Sequence, residues 1–181
     1  MKIYLTSTVM FCATGVSLLL AGDKGLSVSE TAPAVVLKNL AGDYVYVSNL
    51  CYPEPEKTRN PKKVVVLDFM ASDCAPCHQE MPVFPQGMTS SSNQPVKVFV
   101  VSLDPFSKQA DLTNAIQRLN ISFEVLLDPY KVACNKIGIM SIPKTVVLSR
   151  DRECVAMIDG GKDFEKQIKS AVDKSLKKSV K

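Results

Sequence analysis

The fold of this chain is decided by Val64-Val-Val-Leu-Asp68-Phe-Met70 and by Ala-Ser-Asp-Cys74-Ala-Pro-Cys77, which follows it directly. A run of apolar residues of this length predicts a strand that is buried on both faces, at a central position in a sheet. The Cys-x-x-Cys pair lies where such a strand would end and a helix would begin. Zinc sites use the same spacing, but this position after a strand favours a redox-active dithiol.

The spacing of the two cysteines suits reversible disulfide chemistry. A Cys74–Cys77 bond closes a loop of one helical turn, so it opens and closes with little backbone movement. The free N–H groups and partial positive charge at a helix start stabilise a thiolate. We therefore expect Cys74 to attack a substrate disulfide and Cys77, one turn inward, to resolve the mixed disulfide. Asp73 should disfavour the thiolate, and a protonated His78 should favour it.

Asp68 is the one acidic residue within the predicted strand. Aspartate is a poor strand residue, and a buried carboxylate needs a partner or a raised pKa. Beneath a dithiol it would take the proton of the deeper cysteine as a general base, through water. The alternative is an Asp68 that points to solvent at the strand's end, but apolar residues on both sides favour burial.

The rest of the chain predicts an α/β domain. Residues 33–40 and 44–47 flank Ala41-Gly42-Asp43 and predict a β-hairpin. Apolar periodicity and turn residues then predict an exposed loop over 51–63, a helix over 76–86 bent near Pro82, strands over 96–103 and 123–127, helices over 107–119 and 128–137, a second hairpin of 144–149 and 154–158, and a helix from Asp163. This order implies a mixed sheet with helices on both faces.

Pro143 stands at the entrance of the strand predicted over 144–149, where a missing N–H is tolerated. If the Ile142–Pro143 peptide bond is cis, the turn would lie against the thiols. The backbone of Ile142 would then be free to pair with an extended substrate. Proline statistics alone do not favour a cis bond, so this expectation depends on family resemblance.

The segment from Phe69 to Pro82, Phe-Met-Ala-Ser-Asp-Cys-Ala-Pro-Cys-His-Gln-Glu-Met-Pro, resembles the active-site segment of the TlpA/ResA/DsbE group of exported thioredoxin-like proteins. Asp68 falls where thioredoxin keeps a buried acid, and Pro82 falls where that fold bends its active-site helix. Ile142-Pro143 falls at the family's cis-proline.

That resemblance implies a thioredoxin-like three-layer α/β fold over residues 30–178, with a central mixed β-sheet and an N-terminal β-hairpin. The number of residues between Cys77 and Pro143 is large enough for the inserted β-α unit that distinguishes this group from thioredoxin. The sequence also departs from the family, because Met70 and Asp73 stand where tryptophans are usual. Lys144 replaces a commoner small or acidic residue and would favour acidic or polar substrate segments.

Residues 3–21 are nearly free of charge and follow Lys2, as in a secretory signal or an uncleaved anchor. Polar residues make this stretch a mediocre membrane span. It lacks an Ala-x-Ala cleavage site, and Asp23 stands where a lipoprotein would carry its acylated cysteine. We therefore expect 1–22 to be a signal peptide or membrane tether, and the globular part to be in the periplasm or at the outer face of the inner membrane.

The chain has six cysteines, of which Cys12 lies in the predicted export segment. Besides the Cys-x-x-Cys pair this leaves Cys51, Cys134 and Cys154, so at least one is free or pairs with another molecule. We expect Cys134 and Cys154 to be small buried apolar residues. Cys51, in the predicted loop, is the better candidate for reactivity or intermolecular pairing, with a core role as the alternative.

Composition and motifs argue against nucleic-acid binding, nucleotide chemistry and hydrolase chemistry. With 181 residues, 46% of them hydrophobic, the chain can bury a core without structural disulfides. The net charge of +4 includes a lysine-rich C-terminus, but no aromatic and basic patch accompanies it, so no nucleic-acid partner is expected. The sequence has no Gly-rich phosphate loop and no Ser-His-Asp set to support nucleotide or hydrolase chemistry.

The resemblance implies a thiol-disulfide oxidoreductase that reduces disulfides of exported proteins, such as apocytochromes or copper-site assembly proteins. It would need no cofactor and would take electrons from an upstream donor, for which a membrane dithiol carrier is the expected kind. Disulfide isomerisation or net oxidation is the alternative within this class.

Two further alternatives use the same cysteines. Cys74-Ala-Pro-Cys77-His78 matches the c-type haem attachment signature, but it lies at a strand-helix junction and not in a helical cytochrome pocket. The pair, His78 and seven methionines are also compatible with a copper metallochaperone or zinc binding. Against that, methionines such as Met140 and Met157 are expected to fill the core.

Overall fold

The computed structural model describes residues 25–51, 62–84 and 96–178. The predicted export segment over 1–22, with Cys12, lies outside these residues, as do 52–61 of the predicted loop and the end of the helix predicted over 76–86. Within the described ranges, no helix is both long enough and apolar enough to cross a membrane.

The described residues form a mixed sheet of seven strands in the order β2-β1-β5-β4-β3-β6-β7. Strand β3 pairs in parallel with β4 and antiparallel with β6, and all of its residues are buried. This confirms the central position predicted from its continuous apolar run. The strands are β1 (Val36–Asn39), β2 (Tyr44–Tyr46), β3 (Val64–Met70), β4 (Val96–Ser102), β5 (Glu124–Leu127), β6 (Lys144–Leu148) and β7 (Cys154–Asp159).

Helices cover both faces of the sheet. They are α1 (Val47–Cys51), α2 (Ala75–Glu80), α3 (Gln109–Arg118), α4 (Val132–Ile137) and α5 (Phe164–Lys178), with 3-10 turns at Met81–Val83 and Phe106–Lys108. The helix predicted from residue 76 ends its α-helical part at Glu80. Pro82 has no N–H with which to continue the ladder, so the chain tightens into the 3-10 turn.

Alternate residues of β3 serve two separate cores. Val65, Leu67 and Phe69 pack in one core with residues of α1 and α4. Val64, Val66 and Met70 pack in the other, with Cys77 of α2 and residues of α5. Because residues at even and odd positions of a strand point to opposite faces, this division creates the predicted three-layer arrangement.

The two additions predicted around the central sheet are both present. Strands β1 and β2 form the N-terminal hairpin, with Val36 opposite Tyr46. Strand β5, with helices α3 and α4 on either side of it in the chain, lies between β4 and β6 and supplies the inserted β-α unit. The prediction for residue 51 was wrong in one respect, since Cys51 does not lie in an exposed loop but ends α1 and is fully buried.

Candidate active site

The dithiol lies at the start of α2, directly after β3. Cys74 is the N-cap residue of α2, and its Sγ accepts a hydrogen bond from the Cys77 backbone N–H at 3.3 Å. The two sulfurs form a disulfide across Cα atoms 5.3 Å apart. When this bond is reduced, the same N–H remains in place to stabilise a Cys74 thiolate.

The two sulfurs differ in accessibility. Cys74 is half-buried, whereas Cys77 is fully buried in the core beneath α2. Of this pair, therefore, only Cys74 can meet the sulfur of a bulky partner without movement of the backbone.

Asp68 is buried, which excludes the alternative that it points to solvent. Its side chain is 1% exposed, and Thr145 Oγ1 on the neighbouring strand donates a hydrogen bond to Asp68 Oδ1 at 2.7 Å. Burial raises the pKa of Asp68 to about 7; the Thr145 hydrogen bond opposes this rise in part, and the charge of Glu80 adds a smaller upward contribution. As an even-numbered residue of β3, it faces the same layer as Cys77.

Glu80 is a second buried acid near the dithiol, and the sequence analysis missed it. It is 8% exposed, and its Oε2 has no hydrogen-bond partner among the described residues. Burial raises its pKa, and a hydrogen bond from the Gly161 backbone lowers it by less. The spacing to Cys77, three residues along one helix, was the available signal, because it places both side chains on one face.

The Gly160 backbone brings Glu80 and Pro143 together. A Cβ atom at Gly160 would lie 1.6 Å from Glu80 Oε1 and 2.8 Å from Pro143 Cγ. A side chain at this position would have to displace the Glu80 carboxyl and the Pro143 ring. The glycine therefore keeps the Glu80 carboxyl next to the turn that carries Pro143.

The Ile142–Pro143 peptide bond is cis. Ile142 packs partly against the core that contains Cys77, and Cys74 packs against the same core. The structure thus places the Ile142-Pro143 turn and the dithiol at one end of the sheet. Lys144, the next residue, forms an ion pair with Asp159, so its ammonium is engaged within the protein.

The turn in front of Cys74 is held by Asp104, which the sequence analysis also missed. The Asp104 carboxylate accepts hydrogen bonds from Ser72 N at 2.9 Å, Ser72 Oγ at 2.6 Å and Ser102 Oγ at 2.8 Å. Asp104 follows β4, and Ser72 follows β3. The signal was the meeting of polar residues at the carboxyl ends of two parallel neighbouring strands.

The charge of Asp73, beside Cys74, has an ion-pair partner. Lys108 Nζ donates to Asp73 Oδ2 at 2.6 Å, and this contact lowers the pKa of Asp73. His78 is in contact with Arg118, whose Nη2 lies 3.4 Å from His78 Nδ1.

The remaining described cysteines lie away from the dithiol. Cys51, Cys134 and Cys154 are buried and form no disulfide among the described residues. Burial raises the pKa of Cys51 to about 12 and that of Cys154 to about 11. The expectation that Cys134 and Cys154 are small core residues is confirmed. The preference for Cys51 as a reactive thiol was wrong.

Two observations bear on metal binding. Among the described residues, no three histidine, cysteine or acidic side chains are grouped closely enough to hold a metal ion. Met140 is 95% exposed, so the expectation that it fills the core was wrong, whereas Met157 does pack partly against the core.

Comparison with known proteins agrees with this geometry. A family model described as the AhpC/TSA family matches residues 28–157. The chain belongs to the AhpC/TSA family. It is 24% identical over 135 residues to the thiol-disulfide oxidoreductase ResA of Geobacillus thermodenitrificans, a match that covers 75% of this chain and 71% of the relative.

Solved structures share the fold. One is a candidate thiol:disulfide interchange protein DsbE from Chlorobium tepidum, with a TM-score of 0.69 and 23% identity, covering 84% of this chain and 99% of that one. Another, a secreted disulfide oxidoreductase of Mycobacterium tuberculosis, has a TM-score of 0.59 and 16% identity over 78% of this chain and 96% of its own. The thioredoxin-like fold and the relationship to thiol-disulfide oxidoreductases predicted from the sequence are confirmed.

Proposed function

We propose that this AhpC/TSA-family protein is a thiol-disulfide oxidoreductase that reduces disulfides of exported proteins. The observation that carries the proposal is the Cys74–Cys77 disulfide, with a half-buried sulfur at the helix start and a fully buried one behind it. Cys74 is the nucleophile and Cys77 is the resolving cysteine. Asp68 is the proton acceptor, and Ile142-Pro143 is the docking turn for the substrate backbone.

The reaction balances as two thiol-disulfide exchanges. The Cys74 thiolate attacks one sulfur of the client disulfide, and the other client sulfur leaves as a thiolate that takes up a proton. Cys77 then gives its proton to the Asp68 carboxylate and attacks Cys74. The second client thiol leaves, so the client gains two electrons and the Cys74–Cys77 disulfide forms. An upstream dithiol donor restores the reduced protein, and no cofactor is required.

The surroundings of Asp68 suit this proton transfer. A carboxyl group with an ordinary pKa is too weak a base to accept a thiol proton readily near neutral pH. Burial brings the pKa of Asp68 to about 7, so its carboxylate is a stronger base near neutral pH than an ordinary one. The negative charge of Glu80 contributes in the same direction.

The turn before β6 supports a docking role. Because the residue before a cis-proline can leave its backbone groups free, Ile142 can pair with an extended client strand beside Cys74. The location outside the inner membrane, free or tethered through 3–21, is supported by the apolar N-terminal segment and by the secreted relative.

Trapping of mixed disulfides tests the function. In Cys77→Ser, the resolving thiol is absent, so clients should remain bound to Cys74 through a disulfide and can be identified by mass spectrometry. Cys74→Ser should trap none, and Cys154→Ala, a buried thiol elsewhere, should behave as the unchanged protein. Equal trapping by Cys74→Ser and Cys77→Ser would contradict the assignment of roles.

Equilibration with glutathione tests whether the dithiol gives electrons to client disulfides or takes electrons from client thiols. A reductase should have a potential well below the glutathione couple, because its dithiol must give electrons to client disulfides. A potential well above that couple would instead assign net oxidation or isomerisation. The measurement is the ratio of reduced to oxidised protein in defined glutathione buffers, read after acid quenching and thiol labelling.

A further inference from the structure

The turn over residues 71–74 connects β3 to α2 and determines where Cys74 lies. The Cys74 backbone N–H closes this turn with a hydrogen bond to the Ala71 carbonyl oxygen at 3.0 Å. Ser72 and Asp73 are therefore its two central residues. Because Cys74 is also the N-cap of α2, a shift of the turn would move Cys74 Sγ away from the Cys77 N–H that donates to it.

Asp104 fixes Ser72 through both its backbone and its side chain. The Asp104 carboxylate accepts hydrogen bonds from Ser72 N at 2.9 Å and from Ser72 Oγ at 2.6 Å. Ser102 Oγ donates to the same carboxylate at 2.8 Å. All three residues are buried, so water has little access to replace these bonds. Hydrogen bonds that a carboxylate accepts are among the stronger ones in proteins.

The segment that contains Asp104 is itself anchored to the strand before the turn. Leu103 N donates to the Met70 carbonyl oxygen at 2.9 Å, directly beyond the parallel pairing of β3 with β4. Asp104 therefore has a defined position relative to the end of β3. Its hydrogen bonds to Ser72 transmit that position to the start of the turn.

The other central residue of the turn has a weaker contact. Asp73 pairs with Lys108, and both of these side chains are exposed, so dissolved salt screens their attraction. The contacts between Asp104 and Ser72 lie in the interior, where screening by salt is much smaller. Of the two contacts, the one made by Asp104 is therefore the stronger restraint on the turn.

We propose that Asp104 is a positioning residue for the nucleophile: through Ser72 it keeps Cys74 Sγ at the Cys77 backbone N–H, and so it favours the Cys74 thiolate. The inference rests on the proposed function, in which Cys74 is the attacking sulfur. The negative charge of Asp104 would by itself oppose a nearby thiolate. A positioning role and a charge role therefore predict opposite effects when that charge is removed.

Alkylation of the reduced full chain across a range of pH tests the positioning role without any client. In Ser72→Ala the hydroxyl that donates to Asp104 is absent, and no charge changes. We expect iodoacetamide to label Cys74 about fivefold more slowly at pH 7, with the rate profile displaced to higher pH. At high pH, where the thiol is fully ionised, the two rates should converge. The measurement is peptide mass spectrometry of the labelled protein.

Ser102→Ala is the matched control, because it removes a hydrogen bond to the same buried carboxylate but none to the turn. In urea unfolding, both serine variants should lose similar amounts of stability. Only Ser72→Ala should displace the alkylation profile of Cys74, and high salt should not erase that displacement. Equal displacement by the two variants would show a general loss of stability and would overturn the inference.

Asp104→Asn separates position from charge. The amide replaces one acceptor oxygen with an NH2 donor, which would face the serine donors. We expect slower labelling of Cys74, as in Ser72→Ala, and little further slowing when the two substitutions are combined. Faster labelling in Asp104→Asn would assign a charge role instead. Slowing that multiplies in the double variant would mean that Asp104 does not act through Ser72.

The same labelling separates this inference from the function on which it rests. An unchanged Cys74 profile in Ser72→Ala would overturn the positioning role alone. Preferential labelling of Cys77 over Cys74 in the unchanged protein would contradict the assignment of the nucleophile. The proposed mechanism and the role of Asp104 would then be rejected together.

Discussion

Two sets of cysteines occupy opposite faces of the same sheet. Cys74 and Cys77 belong to the layer that contains α2 and α5. Cys51, Cys134 and Cys154 belong to the core on the other face, with α1 and α4. The first set forms a disulfide, and the second set consists of free buried thiols.

The difference between the sets comes from their surroundings. Cys74 has solvent access, a backbone N–H directed at its sulfur and a buried acid in the same layer as its partner. Burial raises the pKa of the Cys51 thiol to about 12, and the charge of Arg152 opposes this rise only in part. We therefore expect thiol reactivity at one end of β3 and little at the buried thiols of the other core.

Substitution of one cysteine from each set should separate the two sets most clearly. Cys74→Ser should lose disulfide exchange down to the uncatalysed background, because the attacking sulfur is gone. Cys154→Ala should keep the exchange rate and lose about 1 kcal/mol of unfolding free energy from a less filled core. The measurements are reduction of a peptide disulfide and urea unfolding. Lost exchange in Cys154→Ala would show that the two sets are coupled.

Site-resolved alkylation measures the reactivity of both sets of thiols in the unsubstituted protein. At pH 8 a thiol with a pKa of about 12 is thiolate in roughly one molecule in 10,000, so Cys51 should react at least about a thousandfold more slowly than reduced Cys74. The measurement is iodoacetamide labelling of the folded protein followed by peptide mass spectrometry. Urea should make the two rates similar, and fast labelling of Cys51 in the folded chain would contradict the contrast.

The pH dependence of stability tests Asp68, the buried acid in the same layer as Cys77. The pKa of Asp68 rises from 3.8 to about 7 on folding. Between these values the folded state keeps a proton that the unfolded state has lost. Unfolding free energy should therefore fall, by on the order of 4 kcal/mol, as pH rises from 4 to 8.

Asp68→Asn is the matched control for that experiment, because it keeps the shape and removes the titration. Relative to the unchanged protein, it should gain stability as pH rises through 7. Urea unfolding with the disulfide intact measures both proteins. A pH dependence that is identical in the two would exclude a raised pKa at Asp68.

Asp68→Asn should also slow the resolving step by about a hundredfold, because Cys77 loses its proton acceptor. The first attack by Cys74 should change much less. Rapid mixing with a peptide disulfide separates the two steps, since the mixed disulfide should accumulate in the variant. If both steps keep their rates, water or another group takes the proton.

The part of this site that could be predicted from sequence is local to β3 and α2. Continuous apolar residues fix β3 at the centre of the sheet, and the same residues on both sides of Asp68 require its burial. The Cys-x-x-Cys pair then follows at the carboxyl end of that strand. Each of these inferences uses neighbours in the chain.

The rest depends on contacts between distant segments. Glu80 looks like an ordinary helix-surface residue until Gly160, 80 positions later, packs against its carboxyl. Asp104 acquires its role only when the turn at Ser72 reaches it. The burial of Cys51 was also not predictable from its neighbours in the chain, because the proline-rich residues after it predicted a loop. In the structure, Val47 and Cys51 lie on one buried face of α1.

The smallest predicted effect concerns the exposed surroundings of Cys74. Lys108→Ala leaves the Asp73 charge beside the sulfur without its partner, so the thiolate fraction of reduced Cys74 should fall and alkylation at pH 7 should slow about twofold. Asp73→Asn should speed it by a similar factor, and the double variant should return to the original rate. Because both side chains are exposed, high salt should erase these differences. A Lys108→Ala effect that persists in high salt would mean that Lys108 acts by holding the turn in front of Cys74 and not by its charge.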